Sequence, residues 1–409
     1  MLGVGVLVNY FDRVNLSVAR EALHSEFGVS TVAFGYISSA FNWTYAALQL
    51  PMGVLLDHFG VRTLGRIGAI LWSVASFGAA FSPGTRTFFS MRLLLGMGEA
   101  PTFPAYAKAT GYWFPRHERS LATAIFDAAA KLGPAVGVLF VGILLLHFGW
   151  RFSFAATGLL SLIYFFAFFH FYRDPKDDPH LSTLERDYLI KGGAQPEEHQ
   201  KSAGSVSVIY LLRQRKVLGL VSGFFAYNYC FYVLLYWMPS YFSSLHLAKL
   251  ASIIYTSVPW LVATATDLVI GGWVVDALVR RGHSETVVRQ TVLIAGTILG
   301  LGVAGAIYTS NPVVAMVWLT VGLGGLSAAA PVGWSIPSLI APRNSVGKVA
   351  GILNFGNQLA GICSPIVTGY LVGASSSYSA AFGVAGVLLL LEIGAYIFLL
   401  GAIEPLPDS

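Results

Sequence analysis

Asp12 and Arg13 stand side by side in an otherwise apolar run, "VNYFDRVNLSV". Consecutive helical residues point about 100° apart, so the two need not pair with each other. A charge at the centre of a bilayer costs at least ~2.5–3.5 kcal/mol, so both are expected to face a wet cavity. Arg13 offers a planar fork of donors that fits a carboxylate with two hydrogen bonds, while Asp12 can take up and release a proton. The plainer alternative is an ion-paired brace between helices. Glu99 lies in "GMGEAP", where Gly96 and Gly98 permit a close helix contact that shields its carboxyl from water. A carboxyl that alternates between an apolar surround and an arginine neighbour is a proton carrier; the alternative is a protonated acid that only hydrogen-bonds between helices. Arg92, seven residues earlier on much the same face, is a candidate structural partner. Asp127 and Lys131 stand at i and i+4 in "FDAAAKLGP", where an acid and a base meet on one helix face. Either this pair neutralises itself, or Lys131 supplies a second cation for a dianionic ligand while Asp127 offsets its charge in the empty site. Asp267 is a further acid in an apolar run, without an assigned role, and Glu392 reads as a residue near lipid or a dimer face.

These residues need helices that live in hydrocarbon. Of 409 residues, 55% are hydrophobic and 11% charged, against roughly 25% charged in a soluble domain. At about 30 to 35 residues per span and connection, the length predicts about twelve spans. Apolar runs fall near 1–22, 31–56, 64–82, 86–110, 120–146 and 151–172, then near 217–243, 251–278, 288–308, 312–338, 346–373 and 379–402. The expected fold is an all-α membrane protein of twelve transmembrane helices, in two six-helix halves related by a pseudo-two-fold. The halves are 1–172 and 217–409, joined by a polar central loop, 173–216. Asp12 and Arg13 interrupt the first run, so no cleavable signal peptide is expected.

The net charge of +5 suggests nucleic acid until its distribution is considered: the basic residues fall in short loops between apolar runs. With both termini in the cytoplasm, the cytoplasmic loops hold Arg62, Arg66, Lys108, Arg116, Arg119, Arg280, Arg281, Arg289, Arg343 and Lys348, while the opposite loops hold only Arg20, Arg86, Arg151 and Lys249. That bias sets the expected orientation, in a bacterial cytoplasmic (inner) membrane, and no nucleic-acid partner is expected. The two cysteines, Cys230 and Cys363, lie in apolar segments as unpaired thiols. The sequence has no metal-ligand cluster, nucleophile triad or phosphate loop, so no metal, cofactor or enzymatic activity is expected. "GVLLDHFGVR" after the second run and "GGWVVDALVRRG" after the eighth each read as a glycine at a helix end, then an aspartate, then arginines. Such a carboxylate can cap a helix end or hold a loop arginine, latching one face of the bundle. Pro101, Pro104, Pro134 and Pro239 allow bends in helices that must rock.

These motifs resemble the major facilitator superfamily, whose loop signature matches Gly53, Asp57, Gly60 and Arg62; Asp276 and Arg280 are the second-half echo. More narrowly, "NYFDRVNLSVA", "RLLLGMGEAPTFPA", "YWFPRHERSLATAI", "NYCFYVLLYWMPSYF" and "GKVAGILNFGNQLAGICSPIVTGYLV" are similar to the anion:cation symporter family, which carries hexuronates, hexonates and glucarate with protons. Relatives usually have a polar segment and another turn or two of helix before the matching Asn-Tyr; here a trimmed sequence, an upstream start and a short first helix are the explanations. The resemblance implies that Asp12 and Glu99 handle protons and that Arg13 binds the substrate anion. It also matches Tyr10 and Tyr45 to substrate contacts, and Asn354, Asn357, Trp334 and Ser335 to readers of hydroxyls. Asn228 adds a polar side chain in the second half. The expected function is proton-coupled symport of a small organic anion, a sugar acid first, by a monomer drawing on the proton gradient. Efflux or exchange of another organic acid, and a non-transporting anion receptor, are the alternatives.

Overall fold

The computed structural model describes residues 1–115, 118–194, 206–342 and 345–407, with the side chains of Leu50, Asp57, Lys176 and 119–125 left aside. Among these residues there is no β-strand. Helices satisfy every backbone donor within their own segment, which is what hydrocarbon demands.

The first span is α1, Leu2–Val18, followed by a short helix, Arg20–Phe27, at the membrane edge. The second and third spans are one continuous element, α2 (Thr31–Ala80), and the fifth and sixth another, α5 (Arg119–Phe171). At 1.5 Å per residue neither could lie straight in a bilayer about 30 Å thick. Each turns at a glycine: Gly60 at φ 76°, ψ 166° and Gly149 at φ 83°, ψ 170°. That region is closed to side chains bearing a Cβ. The corners share a sequence, His58-Phe59-Gly60-Val61-Arg62 and His147-Phe148-Gly149-Trp150-Arg151, a repeat hidden inside the first six spans. The fourth span is broken into α3 (Thr85–Glu99) and α4 (Thr102–Trp113). Pro101, which has no donor for the helix ladder, sits at the break, immediately past Glu99.

A polar connection follows, in which Thr183–Lys191 forms a helix with a reciprocal Ser182–Glu185 cap. The seventh to twelfth spans are α6 (Arg215–Ser244), α7 (Lys249–Thr266), α8 (Glu285–Gly300), α9 (Pro312–Ile340), α10 (Val346–Ser375) and α11 (Ser379–Gly394). Two of these spans end in looser π-helical turns: α7 runs on through Asp267–Val274, and α11 through Ala395–Leu400. Among the described residues, seven helical stretches are long and apolar enough to cross a membrane on length and composition alone. The first and fourth spans are not among them, because the first helix is 17 residues long and the fourth is broken at Pro101.

The first six spans meet the last six along three lines: α1 against α6, the second span against α10, and the fifth span against α7. Exchanging the halves turns the second of these contacts into the third and leaves the first in place, as the pseudo-two-fold requires. Away from the central connection the joint is closed by polar groups. Arg20 donates to the Tyr378 hydroxyl at 3.0 Å and to Thr31 Oγ1 at 3.2 Å, with its guanidinium over Phe34 and Trp237. Asn42 Nδ2 donates to the Gly361 carbonyl at 3.0 Å.

Candidate functional site

Near the middle of α1 the side chains of Asp12 and Arg13 point to different neighbours. Arg13 reaches the last residue of α3: its Nε and Nη2 donate to the same oxygen of Glu99, Oε2, at 2.9 and 2.7 Å. Both residues are buried, and the other Glu99 oxygen has no hydrogen-bond partner among the described residues. Three aromatic rings surround the guanidinium, with centroids 4.4 Å (Phe41), 4.7 Å (Tyr10) and 5.7 Å (Tyr45) away. Glu99 can lie this deep because the second and third spans come very close to α3. A Cβ on Gly96 would run into the Phe41 carbonyl, and one on Gly98 would stand 2.6 Å from the Trp72 backbone nitrogen.

Asp12 faces the third and sixth spans instead. Ser76 Oγ donates to its Oδ1 at 2.7 Å, and Ser161 Oγ lies 2.9 Å from Oδ2. Arg92 does not bind this carboxylate but donates through Nη1 to the Asp12 backbone carbonyl at 3.2 Å. One acid is therefore held by a cation and the other by hydroxyls, a difference that their sequence neighbourhoods do not reveal.

The fifth span carries the second cluster. Lys131 Nζ lies 2.8 Å from Asp127 Oδ2, as the i,i+4 spacing predicts, and 2.7 Å from Asp267 Oδ2, which arrives from the eighth span. Asp267, unassigned in the sequence, is thus a direct partner of Lys131, and its position in mid-span was the available signal. Glu392 departs from expectation. It faces neither lipid nor a subunit boundary but is buried, accepting from Thr297 Oγ1 at 3.1 Å.

The remaining candidates divide. Tyr10 and Tyr45 are buried against Arg13, Tyr10 edge-on to Phe231 and Tyr45 stacked on Phe41. Asn354 Nδ2 donates to Gln49 Oε1 at 2.9 Å, and Gln49 Nε2 donates to the Ala100 carbonyl at 3.3 Å. Asn354 is thereby tied to the residue after Glu99. Gln49 escaped sequence reasoning, although its place four residues after Tyr45 puts it on the same helix face. Asn357 is buried, with no hydrogen bond to its carboxamide among the described residues. Asn228 donates to its own helix, at the Phe224 carbonyl, 2.9 Å. Ser335 is held by Arg289 Nη1 at 2.6 Å, and Trp334 stands edge-on to Phe224. No described hydrogen bond, ion pair or ring contact brings Asn228, Trp334 or Ser335 to Arg13.

Of the loop signature, Gly60 makes the corner already described. Arg62 Nη1 lies 3.9 Å from Asp177 Oδ2 in the central connection. The Asp57 side chain lies outside the described residues, as do residues 116 and 343 and the side chain of Arg119. A Cβ on Gly53 would meet nothing within 4 Å. Asp276 and Arg280 are exposed, in no described ion pair. No group of three or more His, Cys, Asp or Glu residues able to hold a metal occurs among the described residues.

Residues 2–283 match the family model described as Major Facilitator Superfamily. The chain is 37% identical to "Uncharacterized transporter YybO" of Bacillus subtilis (strain 168), over 98% of this chain and 92% of that protein. It is 31% identical to the D-galactonate transporter of Escherichia coli O6:H1, over 99% of this chain and 95% of that one. With the probable galactarate/D-glucarate transporter GarP of Escherichia coli (strain K12) it shares 32% identity over 97% and 92%. A crystal structure of a D-xylose-proton symporter has the same fold, with a TM-score of 0.78 at 16% identity over 98% of this chain and 97% of that one. The chain belongs to the Major Facilitator Superfamily, as an all-α membrane transporter of twelve spans in two halves.

Proposed function

We propose that this member of the superfamily is a proton-coupled symporter of small organic anions, sugar acids first, working by alternating access between the halves 1–172 and 217–409. The observation that carries the reading is the buried Arg13–Glu99 pair. Both donors of Arg13 rest on one oxygen of a protein carboxylate, so an incoming anion must compete with Glu99. A proton on Glu99 removes the charge that holds the guanidinium, and a substrate carboxylate takes the vacated donors. One carboxylate charge replaces another, so proton and anion load together and the buried site stays neutral. Keeping it neutral matters because an unpaired buried charge is strongly destabilising.

Asp12, held by hydroxyls rather than by a cation, serves as the second proton site. Tyr10 and Tyr45 supply aromatic faces for sugar C–H groups, and Asn354 and Asn357 read hydroxyls from the second half. Transport needs proton and anion together to favour the two access states unequally, since equal binding shifts nothing. The Arg20–Tyr378 and Asn42–Gly361 contacts support a state closed on the side away from the central connection. The loop charges support cytoplasmic termini in a bacterial inner membrane, and the carrier works as a monomer without a cofactor. Likeness to the D-galactonate and galactarate/D-glucarate transporters supports sugar acids as substrates.

The test is uptake of hexuronates, hexonates and aldarates by proteoliposomes, with and without a proton gradient. At least one acid is expected to accumulate against its gradient only when protons run inward with it. Accumulation of none, or accumulation indifferent to the gradient, would overturn the reading.

A further inference from the structure

Lys131 is the one place among the described residues where an ion pair bridges the two sets of six spans inside the membrane. Its partners differ in kind. Asp127 shares its helix and travels with it, whereas Asp267 belongs to α7 and moves with the other half. Lys131 and Asp267 are only 3% and 2% exposed, so neither charge has much water to fall back on. Two carboxylates already face one ammonium, so a further anion can reach Lys131 only by taking a carboxylate's place. The backbone at Asp267 is irregular as well, since this residue opens the π-helical run Asp267–Val274. Such turns in otherwise regular helices are frequent at functional sites.

The cluster also lies next to the Arg13 site. The Arg13 guanidinium lies 4.7 Å from the Tyr10 ring centroid, and Tyr10 packs on the fifth span, where a Cβ on Gly133, two residues after Lys131, would stand 2.5 Å from the Tyr10 Cβ. Tyr10 therefore joins the Arg13 site to the helix that carries Lys131, and each of the two buried cations is occupied by a protein carboxylate.

We propose that Lys131 is a second carboxylate subsite whose resident occupant is Asp267: a substrate with two carboxylates places one on Arg13 and the other on Lys131, displaces Asp267, and so unties the fifth span from the eighth. The displaced carboxylate meets water as those spans part. A monocarboxylate fills the Arg13 site alone and leaves the tie in place. The number of carboxylates on the substrate is thereby read by a contact between the halves. This inference rests on Arg13 being the anion anchor, as proposed above.

The experiment measures equilibrium binding of galactarate, with two carboxylates, and galactonate, with one, to the full-length protein in lipid nanodiscs. Asp267→Asn removes the competing charge and leaves Lys131 with Asp127. The ratio of galactarate to galactonate affinity is expected to rise roughly tenfold, the order expected for one nearby unit charge. In Lys131→Gln/Asp267→Asn, which leaves no unpaired cation, the ratio is expected to fall at least tenfold below that of Asp267→Asn. A ratio that stays put or falls in Asp267→Asn overturns the proposal, whatever the double variant does. So does a double variant that binds galactonate but keeps the raised ratio, because a mere brace would move both acids together. If the parent binds neither acid, the sugar-acid reading falls and this one with it; if the parent binds galactonate and the ratio does not respond, only the second subsite falls.

Discussion

Arg13–Glu99 and Lys131–Asp267 are both buried pairs of one cation and one carboxylate, at almost the same distance, 2.7 Å. They differ in what holds the partners. Arg13 and Glu99 sit on the first and fourth spans of one half, cross-braced by Gly96 and Gly98, so a rigid rocking of the halves leaves their geometry alone. On the proposed function, a proton or an anion would open that pair. Lys131 and Asp267 sit on opposite sides of the joint, so movement of the halves opens them directly. On the readings proposed above, one pair would sense the ligand, and the other would sense the ligand and the state of the carrier together. A protein that must move cargo only when loaded needs both.

The comparison breaks most readily at Arg13. Arg13→Gln removes two charge-assisted hydrogen bonds, each worth about 1.5–3 kcal/mol, and is expected to weaken binding of every sugar acid by roughly a hundredfold or more. Equilibrium binding of both acid classes checks this. Galactonate binding that survived would show that the anchor lies elsewhere. Glu99→Gln is next. It is expected to keep exchange of labelled for unlabelled substrate and to lose gradient-driven accumulation by about tenfold per pH unit of gradient, the roughly 1.4 kcal/mol that one coupled proton supplies. Counterflow and gradient-driven uptake in the same vesicles separate these two activities, and undiminished accumulation would sink the proton role of Glu99.

A smaller effect is expected at Gly98, where an added methyl meets the Trp72 backbone nitrogen. Gly98→Ala is expected to cost about 1–3 kcal/mol of stability and to lower galactonate transport, while the ratio of galactarate to galactonate affinity holds. A shift in that ratio would mean that the two pairs are not separable. The smallest effect belongs to Glu26, whose exposed carboxylate accepts from Trp150 Nε1 and Arg151 Nη2, both at 2.6 Å. Those bonds, Trp150 first and Arg151 second, hold its pKa below the ordinary glutamate value of 4.5. A lowered folded value gives stability that is present above 4.5 and is lost as pH falls through the folded value. Because the pair is exposed, Glu26→Gln is expected to cost under about 1 kcal/mol at neutral pH, and thermal melts at pH 7 and pH 3 check both size and sign.

What the sequence made legible follows the reach of the interactions. The α10 and α11 limits, Val346–Ser375 and Ser379–Gly394, begin where the apolar runs 346–373 and 379–402 begin, because burial in lipid is a local property of each run. Asp127–Lys131 was readable for the same reason, as one turn of helix brings the two together. Asp267 and Lys131 are far apart in the chain, and their meeting depends on the tilt and rotation of two helices, which hydropathy does not encode. Ser335 shows the same limit: its position beside Trp334 gives no sign that Arg289 of the ninth span donates to it. The repeated corner His-Phe-Gly-X-Arg was legible in principle. It lies within one half, at 58–62 and 147–151, and so is distinct from the echo between halves.

Arg20 closes the joint on the side away from the central connection, wedged between Tyr378, Trp237 and Phe34. The closure is made by a cation, so a carrier of anions would use as its stopper the charge that its cargo seeks. From that side an arriving anion would be drawn to the group that it must push aside, and attraction and opening would be one event. Encounter on that face should then weaken with rising ionic strength, as charge-guided association does.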